Sequence, residues 1–363
     1  MLRSLSLASL LLAAAAVPAL AQENVVHVYN WSDYIAEDTV AKFEAATGMK
    51  VVYDVYDSNE TLEAKLLAGR SGYDVVVPTS QFLQRQIAAG VYQPLDKSKL
   101  PNLANMDPEL MKQAAAYDPE NAHGVIYMWG TNGIGYNAGK VAERLGEDAP
   151  TDSWSLIFDP QYAEKLADCG ISLLDSPSEV IPSVLAYLGL DPLSKETADL
   201  EKAAEALQAI RPFVRYFHSS QYISDLANGE TCLALGFSGD VFIAAARAEE
   251  AGNGNEIAYS VPKEGAQQWF DMMAIPADAP NPEGALAWIN FIMDPQVTAD
   301  ITNYVWYANA NTAAMPLVDA EVRDDPAIFP TPDVLAKLFP TEVYDARTDR
   351  VITRLWTTVK TGQ

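Results

Sequence analysis

The hydrophobic pattern opens with a short β-rich run, Val25 to Tyr29, and then changes period. Ile35, Val40, Phe43 and Ala46 fall near one face of a helix, and Gly48 stands where a C-terminal cap belongs. Val51 to Tyr56 predicts a second strand. Glu60 to Ala68 predicts a second helix with Leu62, Leu66 and Leu67 turned inward. Asp74 to Val77 predicts a third strand, ended by Pro78. Strands alternating with helices predict a parallel sheet covered by helices on both faces. In such open sheets ligands sit beyond the carboxyl ends of the strands. Two segments fall there: Asn30-Trp31-Ser32-Asp33-Tyr34 after the first strand, and Pro78-Thr79-Ser80-Gln81 after the third.

A second α/β pattern begins later. Ile171 to Leu174 reads as a strand, followed by Asp175-Ser176-Pro177-Ser178-Glu179 and an apolar helix to Leu188. Thr231 to Gly236 reads as another, followed by Phe237-Ser238-Gly239-Asp240 and a helix through Ala248. Ala258 to Pro262 and Phe270 to Ile275 are further strands, and a helix runs from Glu283 to Met293. Two α/β units facing each other leave a cleft between them. No repeat or long Pro/Gly linker separates them, so short strand crossovers are expected to join the lobes.

Length agrees with two units. The chain has 363 residues, and roughly 150 residues per domain is usual. Lys+Arg is 24 against Asp+Glu 49, a formal charge of −25, which excludes an electrostatic footprint for nucleic acid or an anionic membrane. Residues 1–21 carry Arg3, an apolar stretch from Leu5 to Val17 and the small-residue pattern Ala19-Leu20-Ala21, the signature of a cleaved export signal. The mature chain is expected to start at Gln22. Export puts Cys169 and Cys232 in an oxidising compartment, where a disulfide is the default and two buried free thiols the alternative. His27, His123 and His218 are scattered and read as structural. HExxH, Walker and GxSxG patterns are absent, and Gly133-Ile134-Gly135 is too short for a dinucleotide fingerprint.

Aromatic residues recur beside carboxylates at strand ends. Trp31 and Tyr34 bracket Asp33, Phe237 precedes Asp240, Trp269-Phe270 precedes Asp271, and Tyr304 to Tyr307 adds further rings. Ring faces attract cations and carboxylates bond ammonium groups, so the grouping suits an elongated organic cation. Each acid has a local alternative. Asp33 could cap the following helix. Ser176-Pro177-Ser178-Glu179 matches a capping box. Asp240 could simply favour a helix dipole. Asp271 is different, because a lone carboxylate inside the apolar run Trp269 to Ile275 needs a partner.

The strings VYNWSDYIAEDTV, VVYDVYDSNE, VYQPLDKSKL, MWGTNGIGYN, RYFHSSQYI, DLANGE, YANANTAAMPLV and RLWTTVKTG resemble those of periplasmic putrescine-binding proteins of polyamine ABC transporters. The resemblance runs from Val26 essentially to the C-terminus. It implies a type II periplasmic-binding-protein fold, α/β in class, with residues 22–132 plus about 263–312 in one lobe and 133–262 plus about 313–363 in the other. It implies a non-catalytic, monomeric receptor without cofactor or metal, which captures a polyamine and hands it to an inner-membrane ABC permease. The implied ligand contacts are Trp31, Ser32, Asp33, Tyr34, Thr79, Glu179, Phe237, Asp240, Trp269, Asp271 and Tyr307. The family pairs its two cysteines, which implies Cys169–Cys232. Phe237 stands where the family often has Trp, and Trp269 where putrescine binders commonly have Phe, so spermidine competes with putrescine as the preferred ligand. An exported hydrolase using paired carboxylates, and a tyrosine-based metal receptor of the same fold, are the other classes; the aromatic-plus-acid grouping suits an organic cation better than either.

Overall fold

A computed structural model describes residues 24–362; the expected export signal and its cleavage point lie outside them. Ten strands occur among the described residues: β1 Val25–Trp31, β2 Lys50–Tyr56, β3 Val75–Val76, β4 Gly124–Asn137, β5 Ile171–Leu173, β6 Val214–Phe217, β7 Leu233–Phe237, β8 Ile257–Ser260, β9 Ala266–Ala274 and β10 Leu338–Pro340. Their order is β2-β1-β3-β9-β4-β7-β5-β6, with β8 beside β4 and β10 beside β9.

The outer strands fit the expected parallel pattern: β1 runs parallel to β2 and β3, and β5 parallel to β6 and β7. The centre departs from it. β9 is antiparallel to β3 and β4, and β4 is antiparallel to β7. The reason is the crossover. The first half of β4, Gly124 to Thr131, pairs with β9 and belongs to one lobe. Its second half, Asn132 to Asn137, pairs with β7 and β8 in the other. One strand thus spans both α/β units, and the slot forms beside its midpoint.

Local chemistry explains most boundaries. In β1, buried Val26 and Val28 alternate with part-buried His27 and Tyr29, the period of a strand. The first helix is Thr39–Thr47, which leaves Ile35 outside it. It ends at Gly48, whose φ of 73° suits glycine and whose N–H donates to the Glu44 carbonyl. The helix Asn59–Leu67 buries Leu62 and Leu66, each worth ~2 kcal/mol, but Leu67 is 57% exposed, contrary to expectation, because it falls on the outward side of the last turn. The two cysteines are joined, with Cα atoms 5.5 Å apart, so neither thiol is free. They tie the turn before β5 to the residue before β7.

Strand β4 escaped sequence reading. Glycines and polar residues interrupt it, so it shows no apolar alternation, yet nearly all of it is buried. The glycines answer crowding from both sides. A Cβ on Gly130 would come within 2.8 Å of Ser238 Oγ and 2.9 Å of the Trp269 ring, so the strand and the indole can pack only without one.

Candidate functional site

One slot between the lobes gathers Trp31, Ser32, Tyr34, Thr79, Glu179, Phe237, Asp240, Trp269, Asp271 and Tyr307. Those are ten of the eleven expected contacts; Asp33 is the exception. Most arrive from the end of an element. Trp31 closes β1, and Ser32 and Tyr34 follow in the turn. Thr79 follows β3 and precedes the helix Ser80–Ala88. Phe237 closes β7, and Asp240 lies in the first turn of the helix Ser238–Ala251. Glu179 lies in the first turn of the helix Pro177–Tyr187. Trp269 and Asp271 lie two apart in β9, so both face the slot.

Three carboxylates are buried here. Asp271 accepts from the Thr79 hydroxyl at 2.7 Å and the Tyr34 hydroxyl at 3.0 Å. Thr79 Oγ1 in turn accepts from Asn59 Nδ2 at 2.8 Å, which commits its proton to Asp271. Asp240 accepts from Tyr307 at 2.6 Å and Tyr222 at 2.7 Å. Glu179 accepts from Asn132 Nδ2 at 2.5 Å. Every one of these partners is neutral, and among the described residues none of the three acids is in an ion pair.

Burial therefore dominates their titration. It pushes Asp271 and Asp240 up to about 7 and Glu179 up to about 8, and the hydrogen bonds only partly offset it. The acids also act on one another. Asp240 raises Asp271, and Glu60 and Asp271 raise Glu179.

The walls are rings. Phe237 meets Trp269 edge-on at 5.8 Å and Trp31 at 6.1 Å, Trp269 lies 5.6 Å from Tyr307, and Tyr307 meets Tyr34 at 4.8 Å. Gly239 makes room for this: a Cβ there would overlap the Tyr307 ring. Trp269 also has a polar task. Its indole N–H donates to Asn132 Oδ1 at 2.9 Å, which aims the Asn132 amide N–H at Glu179 and at Gln267 Oε1.

The geometry decides between the local alternatives for each acid. Glu179 does not act in a capping box: Ser176 makes no side-chain cap bond, and the carboxylate turns to Asn132. Asp240 keeps its helix-turn position and faces the slot as well. Asp33 neither caps nor lines the slot. The first helix starts after Asp38, and Asp33, at φ 55°, puts its carboxylate 2.5 Å from Arg247 Nη2 across the cleft mouth. Asp33 thus stands at the cleft mouth in a pair with Arg247, and its charge still raises Asp240 inside the slot.

Sequence reasoning missed Asp57, Ser219 and Ser220, which complete the lining, and Asn132, which orients Glu179. Asp57 follows a correctly read strand and carried the strand-end signal used for Asp33. Asn132 lay in the unread strand. His218 caps the helix Gln221–Asn228, accepting at Nδ1 from the backbone of Ser220 and Gln221, and turns Nε2 toward Asp57 at 3.9 Å. Among the described residues no group of three or more His, Cys, Asp or Glu is arranged to hold a metal ion.

A family model described as bacterial extracellular solute-binding protein matches residues 38–331. The chain belongs to this solute-binding family. Its similarity to individual members is high. The solute-binding protein is 56% identical to the putrescine-binding periplasmic protein PotF of Escherichia coli, over 94% of this chain and 93% of that one. It is 56% identical to the putrescine-binding periplasmic protein SpuD of Pseudomonas aeruginosa, over 94% of each. The spermidine/putrescine ABC transporter substrate-binding protein PotD of Streptococcus pneumoniae, a solved structure, superposes with a TM-score of 0.74 at 28% identity, covering 93% of this chain and 99% of that one. These relatives are substrate-binding transport proteins rather than enzymes, and this chain has the type II periplasmic-binding-protein fold.

Proposed function

We propose that this protein is a periplasmic polyamine receptor that closes its two lobes on putrescine and delivers it to an inner-membrane ABC permease. The observation that carries the reading is three buried carboxylates without a cation, set among aromatic faces in one slot. A diamine supplies what they lack. Each ammonium can pair with a carboxylate from either side, and the methylenes lie against the rings. Asp271 and Asp240 serve one end and Glu179 the other. The relatives are named as periplasmic proteins, in keeping with an export signal over residues 1–21. The slot is complete within one chain, which favours a monomer.

We place the hinge where β4 and β9 pass between lobes, near Thr131–Asn132 and Gln267–Gln268. A third crossing falls between Asp319, whose N–H still bonds Asn303 of the first lobe, and Leu338, which pairs with Ala266. Acids from both lobes reach one small ligand only when the lobes meet, so ligand should favour the closed state. The radius of gyration from small-angle scattering should fall on adding putrescine; an unchanged radius at saturation would rule out the clamp.

Spermidine is the second reading, and one observation favours it. Beyond Glu179, a further cavity is lined by Glu60, Gln81 and Tyr344. Glu60 Oε2, both ends of the Gln81 amide and the Tyr344 hydroxyl are buried there without a partner among the described residues. Calorimetry over putrescine, cadaverine, agmatine, spermidine and spermine decides between the readings. Trp269→Phe bears on the same choice. It removes both the indole face and the bond that aims Asn132 at Glu179, so the Glu179 end should loosen. The ratio of putrescine to spermidine dissociation constants should shift at least ~3-fold, with spermidine losing more. An unchanged ratio would reduce Trp269 to a packing residue.

A further inference from the structure

The described residues place a cross-lobe tie away from the ligand slot. Arg85 lies in the helix Ser80–Ala88 of the first lobe, which begins directly after the slot residue Thr79. Its guanidinium forks onto Glu63, with Nε 2.6 Å from Oε2 and Nη2 2.7 Å from Oε1. It stacks over the Phe82 ring at 4.1 Å. Held from two sides, it extends Nη1 to Asp349 Oδ2 at 3.3 Å. Asp349 belongs to the C-terminal helix Ala346–Thr361, which packs on the second-lobe helices Thr197–Ile210 and Pro177–Tyr187. Arg85 and Asp349 both border the further cavity and neither touches the slot.

We propose that Arg85 is a positioning residue for closure. Forked on Glu63, it ties the first lobe to the C-terminal helix through Asp349 and slows release of bound ligand. The chemistry favours this use. A guanidinium pre-set by a two-point fork loses little further freedom when it takes a third acceptor. The pair is partly exposed, with side-chain exposures of 29% and 40%, so its contribution is modest and screened by salt. Modest is what a reversible clasp requires, because a strong tie would hold the empty protein shut and block loading.

The proposal rests on the two-lobed closure read above, so its test includes a readout on protein without ligand. Arg85→Gln and Asp349→Asn are made singly and together. Spin labels at Leu67→Cys and Leu188→Cys, exposed positions on the two lobes, report lobe separation. In the free protein each variant should shift the distance distribution toward open forms, and the double variant should go no further than either single. Putrescine dissociation, followed by stopped-flow fluorescence, should speed up about two- to fivefold in each single and not multiply in the double. High salt should accelerate release from the wild type more than from the variants, which retain the Asp33–Arg247 pair across the cleft mouth. Unchanged distances and rates would overturn the tie. So would an effect confined to Arg85→Gln, since Arg85 would then act through Glu63 within its own lobe. If no polyamine bound at all, the label distances would still decide the tie, while the polyamine reading would fall separately.

Discussion

Asp271→Asn should lower putrescine affinity by ~30- to several-thousand-fold while leaving the melting temperature of the free protein unchanged or raised. The two effects share one cause. Asp271 is 4% exposed and has only hydroxyl partners, so its charge is costly in the empty slot and useful in the filled one. Removing one partner of a buried charge pair costs roughly 2–5 kcal/mol, which sets the affinity range. The empty protein tolerates the amide. Asn can keep the bond from Thr79 through its oxygen and donate to the Tyr34 oxygen through its nitrogen, provided that hydroxyl turns. Calorimetry and thermal unfolding on the same preparation check both halves. A large loss of stability would make Asp271 a structural acid; an unchanged affinity would remove it from the binding set.

The second large effect is on pH. Asp271, Asp240 and Glu179 start from ordinary values of 3.8, 3.8 and 4.5 and are pushed to about 7, 7 and 8 in the free fold. Their folded values lie above their unfolded ones, so between about pH 4 and pH 8 the folded chain binds more protons than the unfolded chain. Stability of the free protein should therefore fall as pH rises through that window. We expect a loss of at least ~2 kcal/mol between pH 5 and pH 8, since a tenfold change in a group's proton affinity corresponds to about 1.4 kcal/mol. Ligand removes this dependence. A diammonium guest favours the ionised acids, so it lowers their values, expels protons on binding at neutral pH, and binds at least ~30-fold more weakly at pH 5 than at pH 8. Between pH 5 and pH 8 thermal unfolding should show the downward slope in the free protein and little or none at saturating putrescine, where the acids are ionised in both folded and unfolded chains. Parallel slopes would mean that these acids are not the ligand's partners.

The sequence was informative where one element carried the signal. A carboxylate inside the apolar run of β9 singled out Asp271 without help from elsewhere, because a strand interior offers it no solvent. The strand-end argument located Trp31, Tyr34, Thr79, Phe237 and Asp240, since the fold puts those ends at the cleft. The misses came from contacts between distant segments. Strand β4 looked irregular because its glycines answer side chains brought in from distant segments, Trp269 at Gly130 and Tyr259 at Gly133 among them, and periodicity does not register a neighbour's bulk. Asn132, the residue that aims Glu179, was lost with it. Asp33 matched the local rule as well as Asp240 does, yet Arg247, 214 positions away, claims its carboxylate. The central antiparallel pairing was likewise hidden, because strand direction depends on where the chain crosses between lobes rather than on composition.

The central claim is that two charged ends are recognised at once by carboxylates inside one slot. It is tested most directly by calorimetric titration of the purified protein at neutral pH with putrescine and with 1-aminobutane, which has the same carbon chain and one ammonium. Putrescine should bind one molecule per chain and 1-aminobutane at least ~100-fold more weakly, because the monoamine leaves one carboxylate end of the slot unpaired. Equal affinities, or no binding of putrescine, would contradict it.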